Sequence, residues 1–231
     1  MRFDWSQVTY FQGIDACDTG KIDHAARFHT YQPGATIFSE GDSCAGFHVV
    51  VDGLVRIFRV NAEGRLHTLS LLRPPATFNE VAAVDGRSNP FNAVAVTYAE
   101  VLVIPHERLL KLLSISPVLL QNAMQALAHL NREYIERLED MTFRSIPSRL
   151  AKLFLHETTY HDQIAETPTQ LTQEEIASIL GTTREVVGRA LRELLNAGLL
   201  EKRGRAVYVV DRGGLEYLAA TNTMPVRHPL A

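Results

Sequence analysis

Cysteine is nearly absent. Cys17 and Cys44 are the only two in 231 residues, and neither belongs to a CxxC pair. A disulfide framework, a zinc site of several thiolates and a four-cysteine iron–sulfur cluster therefore cannot be assembled within one chain, and a reducing, cytoplasmic compartment fits. Long apolar runs are lacking too: no stretch approaches the roughly 18–20 residues of a spanning helix, so no membrane partner is expected. The N-terminal MRFDWSQVTYFQG carries an acid and no unbroken apolar core, which is wrong for a secretory signal. Charge of one sign is also missing. With 23 Lys+Arg against 26 Asp+Glu the net charge is −3, which argues against coating nucleic acid by bulk electrostatics. Any such binding must use a local basic patch. The 46% hydrophobic and 21% charged composition excludes disorder and collagen, and the length suggests two domains, each able to bury its own core.

Over residues 28–105 short apolar segments are broken by turn residues such as Gln32-Pro33-Gly34, Glu40-Gly41-Asp42, Asp52-Gly53, Arg73-Pro74-Pro75 and Asp85-Gly86. The segments 46–51, 54–60, 66–71 and 93–104 are rich in β-branched and aromatic residues, and breaks about every 8–12 residues predict a small β-roll. After Pro105 the texture changes. Residues 106–114 read as a short helix, and Ser116-Pro117 supplies an N-cap followed by proline at the first helical position. A long helix over 118–143 is then expected, free of Gly and Pro. Along it Leu120, Leu127, Tyr134 and Met141 recur every seven residues, with Ala123, Leu130 and Arg137 offset by three and Leu138 beside the last. The pattern predicts a parallel homodimer seam. The alternative is a helix lying on its own β-roll, but at about 1.5 Å per residue a helix of this length would run well past it.

Arg144-Ser145-Ile146-Pro147-Ser148 reads as a hinge, with Ser148 contributing to a new helix start. Helices at 147–159, 172–180 and 184–197 are expected beyond it, with a polar loop containing Pro168, a Gly181-Thr182-Thr183 turn, and Gly198 ending the last helix. Strands at 199–202 and 206–210 then flank Arg203-Gly204-Arg205, a hairpin with a basic tip. The domains expected are a sensory β-roll at 1–116, a dimerisation helix at 117–144, a winged helix-turn-helix at 145–220 and a frayed tail at 221–231: an α+β chain.

The most informative stretch is LTQEEIASILGTTREVVGRALRELLNAGLLEKRGRAVYVVD, residues 171–211. Ile176, Ala177, Ile179 and Leu180 would pack its first helix, Gly181 would permit the tight turn, and Val186, Val187, Ala190, Leu191 and Leu194 would bury the inner face of its second. The outer face is polar. Arg184, Glu185 and Arg189 lie where a recognition helix entering the major groove meets base edges. Arginine donates twice to guanine O6 and N7, and glutamate can accept from a cytosine amino group. From residue 182 to 212 seven cations face four anions, a local excess of positive charge on an acidic chain. A generic three-helix unit with surface arginines would not explain the small-residue turn, the basic hairpin and the Arg-Glu…Arg face together.

These features resemble the CRP/FNR family of bacterial transcription regulators over nearly the whole chain. The residues that carry the resemblance are Pro33-Gly34, Glu40-Gly41 and Val51-Asp52-Gly53 in the roll, Phe78-Asn79-Glu80-Val81, the long helix and Thr183-Arg184-Glu185-Val186-Val187-Gly188-Arg189. The last of these is the most specific. The resemblance implies that Arg184, Glu185 and Arg189 read a TGTGA-like half-site of double-stranded DNA. It implies that Thr172 and Gln173 contact phosphate and that RNA polymerase is a partner; Thr183, Arg203 and Arg205 complete the DNA-binding set. At the effector pocket the sequence departs from the family. Cyclic-nucleotide binders hold ribose with a Gly-Glu-Leu segment and the cyclic phosphate with a later Arg-Ser. Here the first reads Asn79-Glu80-Val81 and the second Pro90-Phe91, with Arg87-Ser88 three residues earlier as a shifted substitute or a solvated turn.

A pocket formed by Asn79, Glu80, Pro90 and Phe91 against Leu127 and Asn131 of the long helix suits an apolar ligand, or none, better than cyclic AMP. The Asn79-Glu80 and Asn89-Pro90 segments also resemble those of family members that sense nitric oxide through haem, for which a histidine could be an axial ligand. No metal site is expected. His156 and His161 are one residue too far apart for a zincin pair, since five helical steps of about 100° leave them about 140° apart. His48 and His67 lack the close His-x-His of a cupin site. No catalysis is expected. The competing reading is a ligand-sensing regulatory subunit whose C-terminal unit docks a protein.

Overall fold

Turn chemistry decides where strands stop in the N-terminal unit. In the computed structural model, which describes residues 3–159, 171–204 and 206–225, the chain divides into two units at the junction of Tyr134 and Ile135. The first opens with single 3-10 turns at Trp5–Gln7 and Thr9–Phe11 and helix α1 (Ala16–Ala25). Eight strands follow: β1 (Arg27–Tyr31), β2 (Thr36–Phe38), β3 (Phe47–Asp52), β4 (Val55–Val60), β5 (Leu66–Leu72), β6 (Thr77–Phe78) and, after the short helix α2 (Glu80–Asp85), β7 (Asn92–Ala95) and β8 (Ala99–Ile104). They form two antiparallel four-stranded sheets, ordered β1-β8-β3-β6 and β2-β7-β4-β5. Register is set by pairs such as Val49 with Leu102 and Ile57 with Ala93.

The roll expected over residues 28–105 is present, with one correction. The single strand expected at 93–104 is two strands in different sheets. The chain breaks at Val96-Thr97-Tyr98 because this corner crosses the β3–β4 turn. Val96 N–H donates to the Leu54 carbonyl at 2.8 Å, and Leu54 N–H donates to Thr97 Oγ1 at 2.9 Å. Gly53, at φ +87°, makes the crossing possible, since a Cβ there would meet the Tyr98 carbonyl oxygen at 2.1 Å. Period-two patterning runs straight through such a corner and cannot reveal it.

Between the sheets lies a core that includes Phe38, Val50, Val55, Ile57, Phe91 and Val101. A second cluster joins Trp5, Phe11, Phe47 and Ile104 to Leu112 of α3 (His106–Ile115) and Leu119 of α4 (Pro117–Phe143). The long helix begins at Pro117, as the Ser116-Pro117 pair requires. Ala123 is not on a free seam: at 4% exposure it packs, with Ala126, into this second cluster. At about 100° per residue, Leu119, Ala123 and Ala126 share one face and hold the helix on its own roll, leaving Leu120 and Leu127 on the neighbouring face.

The C-terminal unit contains α5 (Ile146–Thr159), α6 (Gln173–Leu180), α7 (Arg184–Asn196), strands β9 (Leu200–Arg203) and β10 (Ala206–Val209), and α8 (Arg212–Thr221). One core gathers Leu150, Phe154, Ile176, Leu191, Leu194 and Leu215. The serine at the hinge that serves as a cap is Ser145 rather than Ser148. The Ser145 hydroxyl accepts from Ser148 N–H at 3.4 Å, while the fully buried Ser148 donates its hydroxyl to the Leu218 carbonyl at 3.0 Å. The loop with Pro168, His161 and the last residues of the tail lie outside the described residues. No helix among the described residues is long and apolar enough to cross a membrane.

Two buried titratable groups in the roll oppose one another. His48 is 2% exposed, with Nδ1 2.9 Å from the Gly46 carbonyl and its ring centroid 4.7 Å from Phe78 and 5.2 Å from Phe38. Burial holds its pKa down at about 4. Between that value and the ordinary 6.5 the unfolded chain binds more protons than the fold, so this contribution is complete above pH 6.5 and is lost as pH falls. Glu80 acts in the opposite sense, because burial raises its carboxyl pKa and its contribution is lost as pH rises. Thermal unfolding of wild type and His48→Phe at pH 6.5 and pH 5 separates the two. The wild type should lose about 2 kcal/mol more than the variant over this interval; equal losses would contradict the assignment.

Candidate nucleic-acid interface

Helix α6 starts where the sequence places it, because Thr172 and Glu175 close a reciprocal cap. Thr172 Oγ1 accepts from Glu175 N–H at 3.2 Å, and the Glu175 carboxylate accepts from Thr172 N–H at 2.7 Å. The helix ends at Gly181, whose φ of +61° turns the chain sharply. Arg149 of α5 donates to the Leu180 carbonyl at 2.6 Å and so holds the corner of the turn. Thr183 then takes the N-cap position of α7.

Helix α7 is divided lengthwise by burial. Val187, Ala190, Leu191 and Leu194 lie in the core, while Val186 is half-buried. Arg184, Glu185 and Arg189 are exposed on the outer side, as are Thr172, Gln173 and Thr183 nearby. Glu185 is held below the usual carboxylate range by backbone hydrogen bonding at the helix start, by the Thr183 hydroxyl and by Arg184. It is therefore an ionised acceptor at neutral pH.

These side chains, Thr183 excepted, border one cleft of about 670 Å³. Gln173, Arg184, Glu185 and Arg189 line it together with two cations absent from the expected contact set, Arg192 and Lys202. Their helical and strand spacing was available as a signal, since Arg192 lies three residues after Arg189 and Lys202 in the strand leading to the basic hairpin. Four cations around one carboxylate make a surface suited to a polyanion. Gly188 also lines the cleft, and a Cβ there would come 3.5 Å from Gln173 Oε1. Arg203 is less available than its place at the hairpin suggests: it pairs with Glu201 at 2.8 Å and lies over the Tyr208 ring at 4.8 Å. Arg205 lies outside the described residues.

The six residues expected to form an effector pocket do not share one environment. Asn79, at φ +64°, donates its amide to the Gly46 carbonyl and to Asn89 Oδ1, each at 3.0 Å, while its own Oδ1 is buried without a partner. Glu80 is buried and accepts from the Thr77 hydroxyl at 2.6 Å. Phe91 belongs to the core between the sheets, 5.8 Å from Phe38, whereas Pro90 faces solvent. Leu127 is half-buried and Asn131 exposed. The difference between Pro90 and Phe91 has a simple cause: alternation along the approach to β7 sends Phe91 inward and Pro90 outward. Among the described residues no group of three or more His, Cys, Asp or Glu side chains could hold a metal ion, and His48 is the one buried histidine.

Residues 28–116 match the cyclic nucleotide-binding domain family, and residues 148–218 match the Crp-like helix-turn-helix domain family. The chain is 31% identical to a cyclic AMP receptor protein of Thermus thermophilus over 189 residues, covering 82% of this chain and 86% of that protein. It is 25% identical over 205 residues to a CRP-like cAMP-activated global transcriptional regulator of Mycobacterium tuberculosis, covering 87% and 92%. The solved structure of FixK2 from Bradyrhizobium japonicum shares the fold, with a TM-score of 0.74 at 22% identity over 84% of this chain and 96% of that one.

The cap is testable by itself. Thr172→Ala removes the acceptor for Glu175 N–H and should destabilise the start of α6 by about 1 kcal/mol, seen as roughly fivefold faster amide exchange there. Unchanged exchange would mean that the cap contributes nothing.

Proposed function

The chain belongs to the CRP/FNR family of DNA-binding transcription regulators, and on that premise we propose that it acts as a homodimer on a palindromic, TGTGA-like site, with an effector other than cyclic AMP. The observation that carries the DNA reading is the division of α7. Its apolar side is committed to the core, so Arg184, Glu185 and Arg189 are presented together on a surface whose surroundings are cationic. Arg184 and Arg189 take guanine edges, Glu185 a cytosine amino group, and Thr172, Gln173 and Thr183 adjacent phosphates. Arg192 and Lys202 extend the phosphate track, and Arg203 of the wing lies beside it; Arg205 is kept in the proposed contact set from the sequence alone. In this reading residues 1–116 sense, 117–144 join two copies and 145–220 bind DNA. RNA polymerase is the downstream partner that family membership favours.

Two copies are favoured by α4, which exposes Leu120, Tyr134, Leu138 and Met141 along one side. A single chain would leave this apolar stripe in water. The competing protein-docking role for the C-terminal unit is not favoured by its match to the Crp-like helix-turn-helix domain family.

The effector reading rests on what stands where a cyclic phosphate would be held. The relatives named above are described as cyclic AMP receptors or cAMP-activated, but Pro90 has no backbone N–H and faces solvent, and Phe91 is used in the core. A buried phosphate without cationic or donor-rich partners is strongly disfavoured. Calorimetry should therefore show no micromolar binding of cyclic AMP; such binding would overturn this part.

For the DNA contacts, Arg184→Ala and Arg189→Ala should each weaken binding to the palindrome by about 1–3 kcal/mol and relax preference at one base position. Anisotropy titrations with single-base variants of the duplex read both effects. Variants that lose affinity evenly over all sequences would instead assign these arginines to phosphate.

A further inference from the structure

The exposed side of α4 has a period that the burial pattern sharpens. Leu120, Leu127, Tyr134 and Met141 form one row, and with Ala123 buried in its own unit the second row lies four residues on. That row is Met124, Asn131 and Leu138. The spacing alternates four and three, which is the d and a pattern of a two-helix coiled coil, with Met124, Asn131 and Leu138 at a. Met124 and Leu138 are each 66% exposed and Tyr134 52%. Asn131 is the one carboxamide in these two rows and the one polar residue in its own row, and it too is exposed.

We propose that Asn131 sets the register and two-chain state of the dimer by pairing with Asn131 of a second copy across the helix seam. The inference rests on the homodimer reading and goes beyond it to the residue that makes the pairing unique. In a parallel, in-register pair, facing a positions bring the two carboxamides together. Each then donates an N–H to the other's oxygen, so two identical groups satisfy one another. Sliding by one heptad would set Asn131 against Met124 or Leu138, and reversing one helix would set it against the d row. Both arrangements bury an amide without a partner, which is the expensive way to place a polar group. The apolar positions favour association, and Asn131 excludes the alternative associations.

The test uses the full chain with exposed Cys17 changed to Ser. Cys44 is retained, because its thiol is engaged with the Ala82 carbonyl at 3.1 Å. Asn131→Cys in this background should crosslink into a covalent dimer under mild oxidation, and Arg132→Cys, one step around the helix, should not, since a disulfide needs Cα atoms about 4.4–6.8 Å apart. Asn131→Leu, without new cysteines, should sediment as a mixture of dimer and larger species. Wild type that sediments as a dimer while Asn131→Cys fails to crosslink would overturn the inference and leave the homodimer reading standing. A single, well-defined dimer for Asn131→Leu would equally remove the register role. Wild type that sediments as a monomer would remove the homodimer reading and this inference with it.

Discussion

Burial of one side of α7 is the constraint on which the cationic surface of the C-terminal unit depends. Val187, Ala190, Leu191 and Leu194 are nearly or fully enclosed. Burying each of the larger side chains is worth about 1.5–3 kcal/mol. Rotating the helix by one residue would exchange these groups for charged ones and lose several kcal/mol at once. The outward direction of Arg184, Glu185 and Arg189 is therefore fixed by side chains that never meet a ligand. Gly181 and the Arg149 bond to Leu180 fix the entry to the helix in the same way. The arginines themselves need only be long, charged and unobstructed.

In the roll, packing and internal hydrogen bonds occupy the residues around the Asn89-Pro90-Phe91 segment. Where a nucleotide phosphate would require donors, Asn89 is tied up internally: its Oδ1 accepts from Ala45 N–H and Asn79, and its amide reaches the Ser39 and Ser43 carbonyls. Phe91 completes the core instead of leaving room. Polar groups that could answer a ligand are thus satisfied by neighbouring backbone. Among the described residues Asn79 Oδ1, the Tyr10 hydroxyl and Arg56 Nε are the exceptions, buried and without a hydrogen-bond partner. Tyr10 is held well above the usual phenol range, chiefly by burial and then by Glu80 and Tyr134.

Much of this was legible in the sequence where a long period or a strong local signal existed. The bounds of α4, α6 and α7 follow from Ser116-Pro117, Gly181 and uninterrupted helical spacing. The exposure of Arg184, Glu185 and Arg189 was readable because their apolar counterparts alternate with them at helical period. The misses have different causes. The corner at Val96-Thr97-Tyr98 depends on contact with Leu54, some forty residues away, and leaves no mark on local alternation. Helices α1, α2 and α8 escaped notice because each is short and buries only a few small or apolar residues. Ala123 was assigned to the seam because small apolar residues fit either a dimer or an intrachain contact, and only the packing of α4 on its own roll distinguishes them. Ser145 and Ser148 are chemically equivalent in sequence, so their exchange of roles required knowing that Leu218 and Asn222 approach the hinge. Pro90 and Phe91 were named by position in a motif, and alternation gives the first to solvent and the second to the core.

The central claim is that α7 presents a base-reading surface rather than a merely cationic one. The measurement that tests it most directly is a titration of the full chain with a labelled duplex carrying two TGTGA-like half-sites one helical turn apart, beside a scrambled duplex of the same composition at the same salt concentration. Base contacts predict a preference of about a thousandfold or more for the palindrome. Equal affinity for the two duplexes would contradict the account.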